Sequence, residues 1–288
     1  MLNPPLSLLP DDLLASIVEQ LSKLPFADKN LKNLCLADRA FTQLCQTYIF
    51  RELTLGNGLR GKISKQLKRL EIFLKDKPSF TNRVRMVRLV ISPENASLFK
   101  SPNFTSILRL FVKSLIPPYE LYLSGLLDSS LIGDPVLVLR QLTESFFSQT
   151  MTILHVTKCV NVPLPLFLIC PRLREVFLDQ VRATTDKSYY KYPDNQWSGR
   201  EAPLLEVLNY RNSHSLVKQM IAPPVRFNTP VVLWSNLRVL TLAPHDNSGM
   251  ACLQPILDAA CNTLEELYLT TKYLGKCRCG VFGNTKQS

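Results

Sequence analysis

Residues 173–178 read Leu-Arg-Glu-Val-Phe-Leu, with apolar side chains at Leu173, Val176 and Leu178. In an extended chain alternate side chains share a face, so Val176 and Leu178 mark a short strand that buries one side. The same order recurs upstream at Phe50-Leu53-Leu55, Val84-Val87-Leu89, Met151-Leu154-Val156 and, more loosely, Pro118-Leu121-Leu123. Downstream it recurs at Leu205-Leu208-Tyr210, Leu237-Leu240-Leu242 and Leu264-Leu267-Leu269. Successive starts lie 34, 34, 33, 22, 32, 32 and 27 residues apart. Repetition at such intervals marks stacked units, each burying its apolar face against the next.

The segments between these strands carry helical spacing. Asp134 and Pro135 supply a cap and a first-turn proline ahead of Val138, Leu139, Leu142 and Phe146. Thr105 to Leu115 places Ile107, Leu108, Phe111, Val112 and Leu115 on one face, and Ser213 can cap a helix bearing Leu216, Val217, Met220 and Ile221. A further helix carries Leu253, Ile256, Leu257 and Ala260, with Pro255 in its first turn. Strand, helix and strand at this spacing require crossovers and a parallel sheet. Helices are wider than the distance between paired strands, so such a stack curves into a horseshoe. The expected fold class is therefore α/β, with a curved solenoid of parallel strands over residues 51–274 and a disordered tail at 275–288.

Residues 1–50 follow a different pattern. Leu14, Ile17, Val18 and Leu21 share a helix face, Pro10 suits its first turn, and Asp11 and Asp12 place negative charge at its positive end. Pro25 interrupts, after which Asp28 or Asn30 can cap a helix with Leu31, Leu34 and Cys35. A third helix carries Phe41, Leu44, Cys45, Tyr48 and Ile49. Three short helices in fewer than fifty residues make a bundle too small to bury all its apolar surface alone.

Two stretches of this segment, Leu9-Pro10-x-Asp12-Leu13-Leu14-x-x-Ile17-Val18-x-x-Leu21 and Leu34-Cys35-Leu36-x-x-Arg39-x-Phe41, resemble an F-box. Ala37-Asp38 stand where many F-boxes carry Val-Cys. The resemblance implies a three-helix F-box-like module that docks on the Skp-type adaptor of a cullin-RING ubiquitin ligase. Leu9, Pro10, Leu13, Ile17, Leu21, Leu36 and Phe41 are the expected adaptor-binding residues. The repeating half is similar to an irregular leucine-rich-repeat array, of the kind that often follows an F-box. That family's Asn or Cys three places after the last strand residue is replaced by Ser92, Leu126, Val181, Ser213, His245 and Lys272, and only Cys159 fits. The ladder of side chains that satisfies backbone groups at the turn is expected to be degraded. The implied function is substrate recognition for the ligase, with the array holding a protein target.

Arg182 to Pro203 is a polar insertion without periodicity that carries Tyr189, Tyr190, Tyr192 and Trp197. Those residue types dominate binding hot spots, which makes them the candidate target-binding residues. An insertion whose aromatics fold back on the repeats is the competing reading.

The chain has a formal net charge of +11, yet residues up to Leu59 hold five basic side chains against six acidic ones. The densest positive stretch, Arg60 to Arg88, also carries Ile63, Leu67, Leu70 and Leu74 at helical spacing, which directs its lysines to water. An alternative function is a non-catalytic repeat scaffold that binds nucleic acid or an acidic protein through this basic face. No aromatic residues interleave with the charges to stack bases, so nucleic acid is the weaker expectation. The longest apolar runs are too short to span a membrane, and the N-terminus lacks a signal-peptide pattern. The eight cysteines lie mostly in apolar runs and read as buried thiols of a cytoplasmic or nuclear protein. His155, His214 and His245 have no nucleophile or carboxylate at a spacing that would orient them. Cys277-x-Cys279 lacks two further ligands for zinc, and no glycine-rich phosphate loop is present. The expectation is a protein without catalytic residues, metal or cofactor.

Overall fold

The computed structural model describes residues 9–56, 63–92, 96–126, 149–183, 201–223, 230–243 and 252–270. Among the described residues eight strands form one open parallel sheet in chain order: β1 (Glu52–Leu55), β2 (Met86–Ile91), β3 (Glu120–Leu126), β4 (Ile153–Val160), β5 (Glu175–Asp179), β6 (Val207–Arg211), β7 (Val239–Ala243) and β8 (Glu266–Leu269). Each contains the last two positions of one apolar triplet. Their register is continuous, so Val87, Leu121, Leu154, Val176, Leu208 and Leu240 stand side by side, all fully buried. A second inward row runs through Leu89, Leu123, Val156, Leu178, Tyr210 and Leu242. At the last strand the pattern persists but the burial does not. Leu267 and Leu269 are 42% and 37% exposed, whereas their partners Leu240 and Leu242 are fully covered.

Helices flank the sheet: α1 (Asp11–Ser22), α2 (Ala27–Ala37), α3 (Thr42–Ile49), α4 (Ile63–Asp76), α5 (Pro78–Thr81), α6 (Pro102–Val112), α7 (Pro165–Leu168), α8 (His214–Ile221) and α9 (Leu253–Ala260). Helix α4 buries Ile63, Leu67 and Leu74 and leaves Lys65, Lys68, Arg69 and Lys75 exposed, as its apolar stripe requires. The short step from β4 to β5 has room only for α7, whose four residues are all buried. Helix α6 begins three residues before the expected Thr105 and stops at Val112, so Leu115 is 88% exposed rather than on its apolar face. Pro255 is the third residue of α9, inside the first turn as expected. The helix expected at Asp134–Phe146, the aromatic insertion and the tail at 275–288 lie outside the described residues. No helix among the described residues is long and apolar enough to cross a membrane.

The strand ends share a backbone device that the apolar pattern does not announce. Two positions after the last inward residue of β3, β4, β5 and β6, the chain is left-handed, at Gly125 (φ 112°), Lys158 (53°), Gln180 (56°) and Asn212 (51°). At two of these ends the next residue, Cys159 or Ser213, reaches the neighbouring unit's backbone. Cys159 Sγ, fully buried, lies 3.7 Å from the Leu123 carbonyl. Ser213, 1% exposed, accepts from the Val181 N–H at 3.0 Å and donates to the Arg211 carbonyl at 2.8 Å. Ser213 therefore does not cap α8, and the ladder expected to be degraded is kept here by a hydroxyl instead of an amide.

The core divides in two. The larger cluster lies along the inward face of the sheet, and a smaller one joins Leu14, Val18, Leu31, Phe41 and Cys45 within the first three helices.

Candidate docking surface

The small cluster determines which apolar side chains of the N-terminal helices are left over. Leu14 and Val18 of α1 point inward and Leu21 packs against them, but Ile17, expected on the same face, is 37% exposed, and Leu13 four residues earlier is 52% exposed. Pro10 is exposed and precedes α1 rather than entering its first turn, and its carbonyl accepts from the N–H groups of Leu13 and Leu14. Leu9 is half-buried against the small core. Leu36 near the end of α2 is 87% exposed. Of the expected adaptor-binding residues, then, Pro10, Leu13, Ile17 and Leu36 face solvent and Leu9 and Leu21 lie at the rim. Phe41 does not share that face. At 1% exposure it is a centre of the small core, because the turn before α3 folds it under α1 and α2.

The polar residues around it explain that turn. The Asp38 carboxylate accepts from the Ala40 N–H at 2.9 Å and caps a 3-10 turn over Arg39–Phe41. Neither Asp28 nor Asn30 caps α2. The residue before that helix is Phe26, left-handed at φ 62°, whose carbonyl accepts from Lys29 and Asn30. A bulky side chain in this conformation is strained by about 1–3 kcal/mol. Phe26 is also 81% exposed, and neighbouring Leu24 is 51% exposed. Neither was anticipated as a surface residue. Their signal in the sequence is apolar side chains beside Pro25, where a helix cannot continue.

A second surface lies on the outward face of the sheet. Register aligns Arg88, Tyr122, His155 and Phe177 on β2 to β5. The Arg88 guanidinium lies 3.7 Å from the Tyr122 ring centroid, Tyr122 and His155 stack at 5.7 Å, and His155 and Phe177 stack at 4.4 Å with planes 9° apart. Arg88 also forms an ion pair with Glu52, holding that carboxyl below its ordinary value against the opposing effect of burial. Glu120, 5% exposed, has its carboxyl 2.9 Å from His155 Nε2 and 3.8 Å from the Arg51 guanidinium. A carboxylate this buried needs such partners, which gives His155 a structural task. Beyond Phe177 the row continues with the shorter Asn209, leaving a shallow pocket bounded by the Asp179–Arg211 ion pair.

Tyr189, Tyr190, Tyr192 and Trp197, as well as His245 and Cys277-x-Cys279, lie outside the described residues. Among the described residues no three His, Cys, Asp or Glu side chains gather as a metal site. Comparison of the sequence with models of known families and with curated proteins finds no match.

Proposed function

We propose that this chain is the substrate-recognition adaptor of a cullin-RING ubiquitin ligase. In this reading the three N-terminal helices are an F-box that docks on a Skp-type adaptor. The sheet and its helices form a leucine-rich-repeat-like solenoid that presents a protein target.

One observation carries the reading. A three-helix unit that completes a core of its own still leaves Leu13, Ile17, Leu24, Phe26 and Leu36 in water. Burying each of these side chains contributes roughly 1.5–3 kcal/mol. Association costs on the order of 4–15 kcal/mol, so useful affinity requires that several be covered together by one partner. A helical groove is the surface that accepts such anchors.

The test is co-purification of the full chain with a Skp-type adaptor. Leu13→Asp with Leu36→Asp alters only side chains already more than half exposed, so the fold survives. The double variant should lose adaptor binding by more than about tenfold, or 1.4 kcal/mol. Retention of the adaptor at wild-type levels, with the circular dichroism spectrum unchanged, overturns the reading.

A further inference from the structure

We propose that a pocket between α3 and the starts of β1, β2 and β3 binds a doubly charged phosphate group, as a monoester or as the free ion. Its volume is about 230 Å³, and its lining includes Arg51, Arg83 and Arg85 together with Tyr48, Tyr119 and Asn82.

The convergence follows from the parallel stacking. The residues immediately before the strands form a row of their own, each N–H bonded to the carbonyl of the one before: Arg51, Arg85, Tyr119, Thr152, Arg174, Glu206, Arg238 and Glu265. Toward the far end this row neutralises itself. Arg174 pairs with Glu206 at 3.0 Å and Arg238 with Glu265 at 2.8 Å. At the near end two arginines stand adjacent and a tyrosine follows, with no carboxylate in the row to answer them. Arg83 adds a third cation from the turn before β2.

Their present contacts answer the charge only in part. Arg83 donates to the Gln46 side chain and lies 5.2 Å from the Phe80 ring centroid. Arg85 Nη1 donates to the carbonyls of Asn82 at 2.7 Å and of Val84 and Ile116 at 3.3 Å. Among the described residues neither has a carboxylate within ion-pair distance. Among the described residues Arg51 has only Glu120, at 3.8 Å, and that carboxyl also lies 2.9 Å from His155 Nε2. Three like charges around one cavity repel one another, and an anion between them adds an attraction to each that offsets this repulsion.

The geometry selects the anion. Guanidinium forks match the oxygens of phosphate, and two tyrosine hydroxyls add donors. A monoester carries about −1.5 to −2 charges near neutral pH, against one for a carboxylate or a phosphodiester. A concave site with three cations favours the more highly charged ion over a linear polyanion, which needs a track. The phosphoryl group can come from a modified side chain of another protein or from the free ion. The site does not depend on whether the N-terminal helices dock an adaptor.

Calorimetric titration of the full chain with inorganic phosphate, with N-acetyl-O-phosphoserine amide and with unphosphorylated N-acetylserine amide tests the site. Saturable binding of the phosphorylated probes and none of the serine amide is expected. Tighter binding of phosphoserine identifies a protein side chain as the source, and tighter binding of inorganic phosphate identifies the free ion. Arg51→Gln with Arg83→Gln spares the carbonyl bonds of Arg85 and should weaken binding about tenfold or more, whereas Arg51→Lys with Arg83→Lys should restore part of it. An absence of saturable binding to the wild-type chain, or an unchanged affinity in the glutamine variant, overturns the proposal.

Discussion

The Ser213 hydroxyl sits 3.0 Å from the backbone nitrogen of Val181, thirty-two residues earlier, and accepts its proton. It thereby pairs a buried N–H at the corresponding position of the preceding strand, while its own proton goes to the Arg211 carbonyl. Ser213→Ala removes both bonds without changing the backbone and leaves the Val181 N–H buried without this acceptor. The expected loss of stability is about 1–3 kcal/mol, read from the urea midpoint at constant slope. An unchanged midpoint means that the hydroxyl is dispensable.

Gly125 is the left-handed position on β3, at φ 112°. A Cβ there would lie 1.8 Å from the Ile91 carbonyl oxygen on the neighbouring strand, and backbone cannot yield as a flexible side chain does. Gly125→Ala therefore meets both a disfavoured dihedral and a collision inside the sheet. We expect one of the largest losses of any single substitution, above about 4 kcal/mol, or failure to accumulate as folded protein. Asn212→Gly, at an analogous left-handed site, should by contrast be tolerated. A Gly125→Ala protein that melts within a few degrees of wild type contradicts this geometry.

These two residues also show what could be read from the chain alone. The apolar triplets located the eight strands of the described residues, because strand burial leaves a period in the sequence that survives irregular spacing. The turns were harder, because left-handed backbone is occupied by Gly125 but also by Lys158 and Gln180, which carry no turn signature. Ser213 read as a helix cap since a hydroxyl before a helix usually is one, and only the neighbouring strand reveals its other task. On α1, helical periodicity found the covered side chains Leu14, Val18 and Leu21 but grouped Ile17 with them, which is 37% exposed, and only the F-box resemblance singled out Leu13. Periodicity did not settle Phe41, whose burial depends on the turn that Asp38 caps. The arginine pocket was invisible, since Arg51, Arg83 and Arg85 meet only when the strands are in register.

Burial separates the cysteines into reactive and inert. It pushes the Cys159 thiol up to about 12, and it does the same to Cys45, with Cys35 beside it adding to the effect. At pH 8 about one molecule in 10,000 then carries a thiolate at either site, and the thiolate is the nucleophile. Brief iodoacetamide treatment of the native protein followed by peptide mass mapping should label exposed Cys261 and spare Cys45 and Cys159 until urea is added. Labelling of Cys159 in native protein at the rate of Cys261 would falsify the assignment.

The Glu52–Arg88 pair predicts a sign for acid sensitivity. Hydrogen bonding to Arg88 holds the Glu52 carboxyl below its ordinary 4.5, with burial opposing. A depressed folded-state value means that the stabilisation is present above the unfolded value and is lost as pH falls through the folded one, so the window lies below about 4.5. Both groups are partly exposed, which limits the contribution to under about 1 kcal/mol. The sensitive measurement is therefore the titration itself. The Glu52 carboxyl carbon, followed by NMR, should have its midpoint below the ordinary range and shift upward in Arg88→Met. A midpoint indifferent to that substitution leaves the pair without electrostatic effect.

Phe26 separates stability from docking, because the two respond in opposite directions. Its left-handed backbone costs energy that burial of the ring does not return, since the ring is 81% exposed. Asparagine accepts that conformation more readily, so Phe26→Asn should raise stability by about 1 kcal/mol or less. If the exposed ring is retained as an anchor for the proposed Skp-type partner, the same substitution should weaken that complex several-fold, against its effect on folding. Thermal melting and adaptor binding measured on one preparation resolve the two contributions. A variant that is more stable and binds equally well removes Phe26 from the interface, and the strain at α2 then has no functional account.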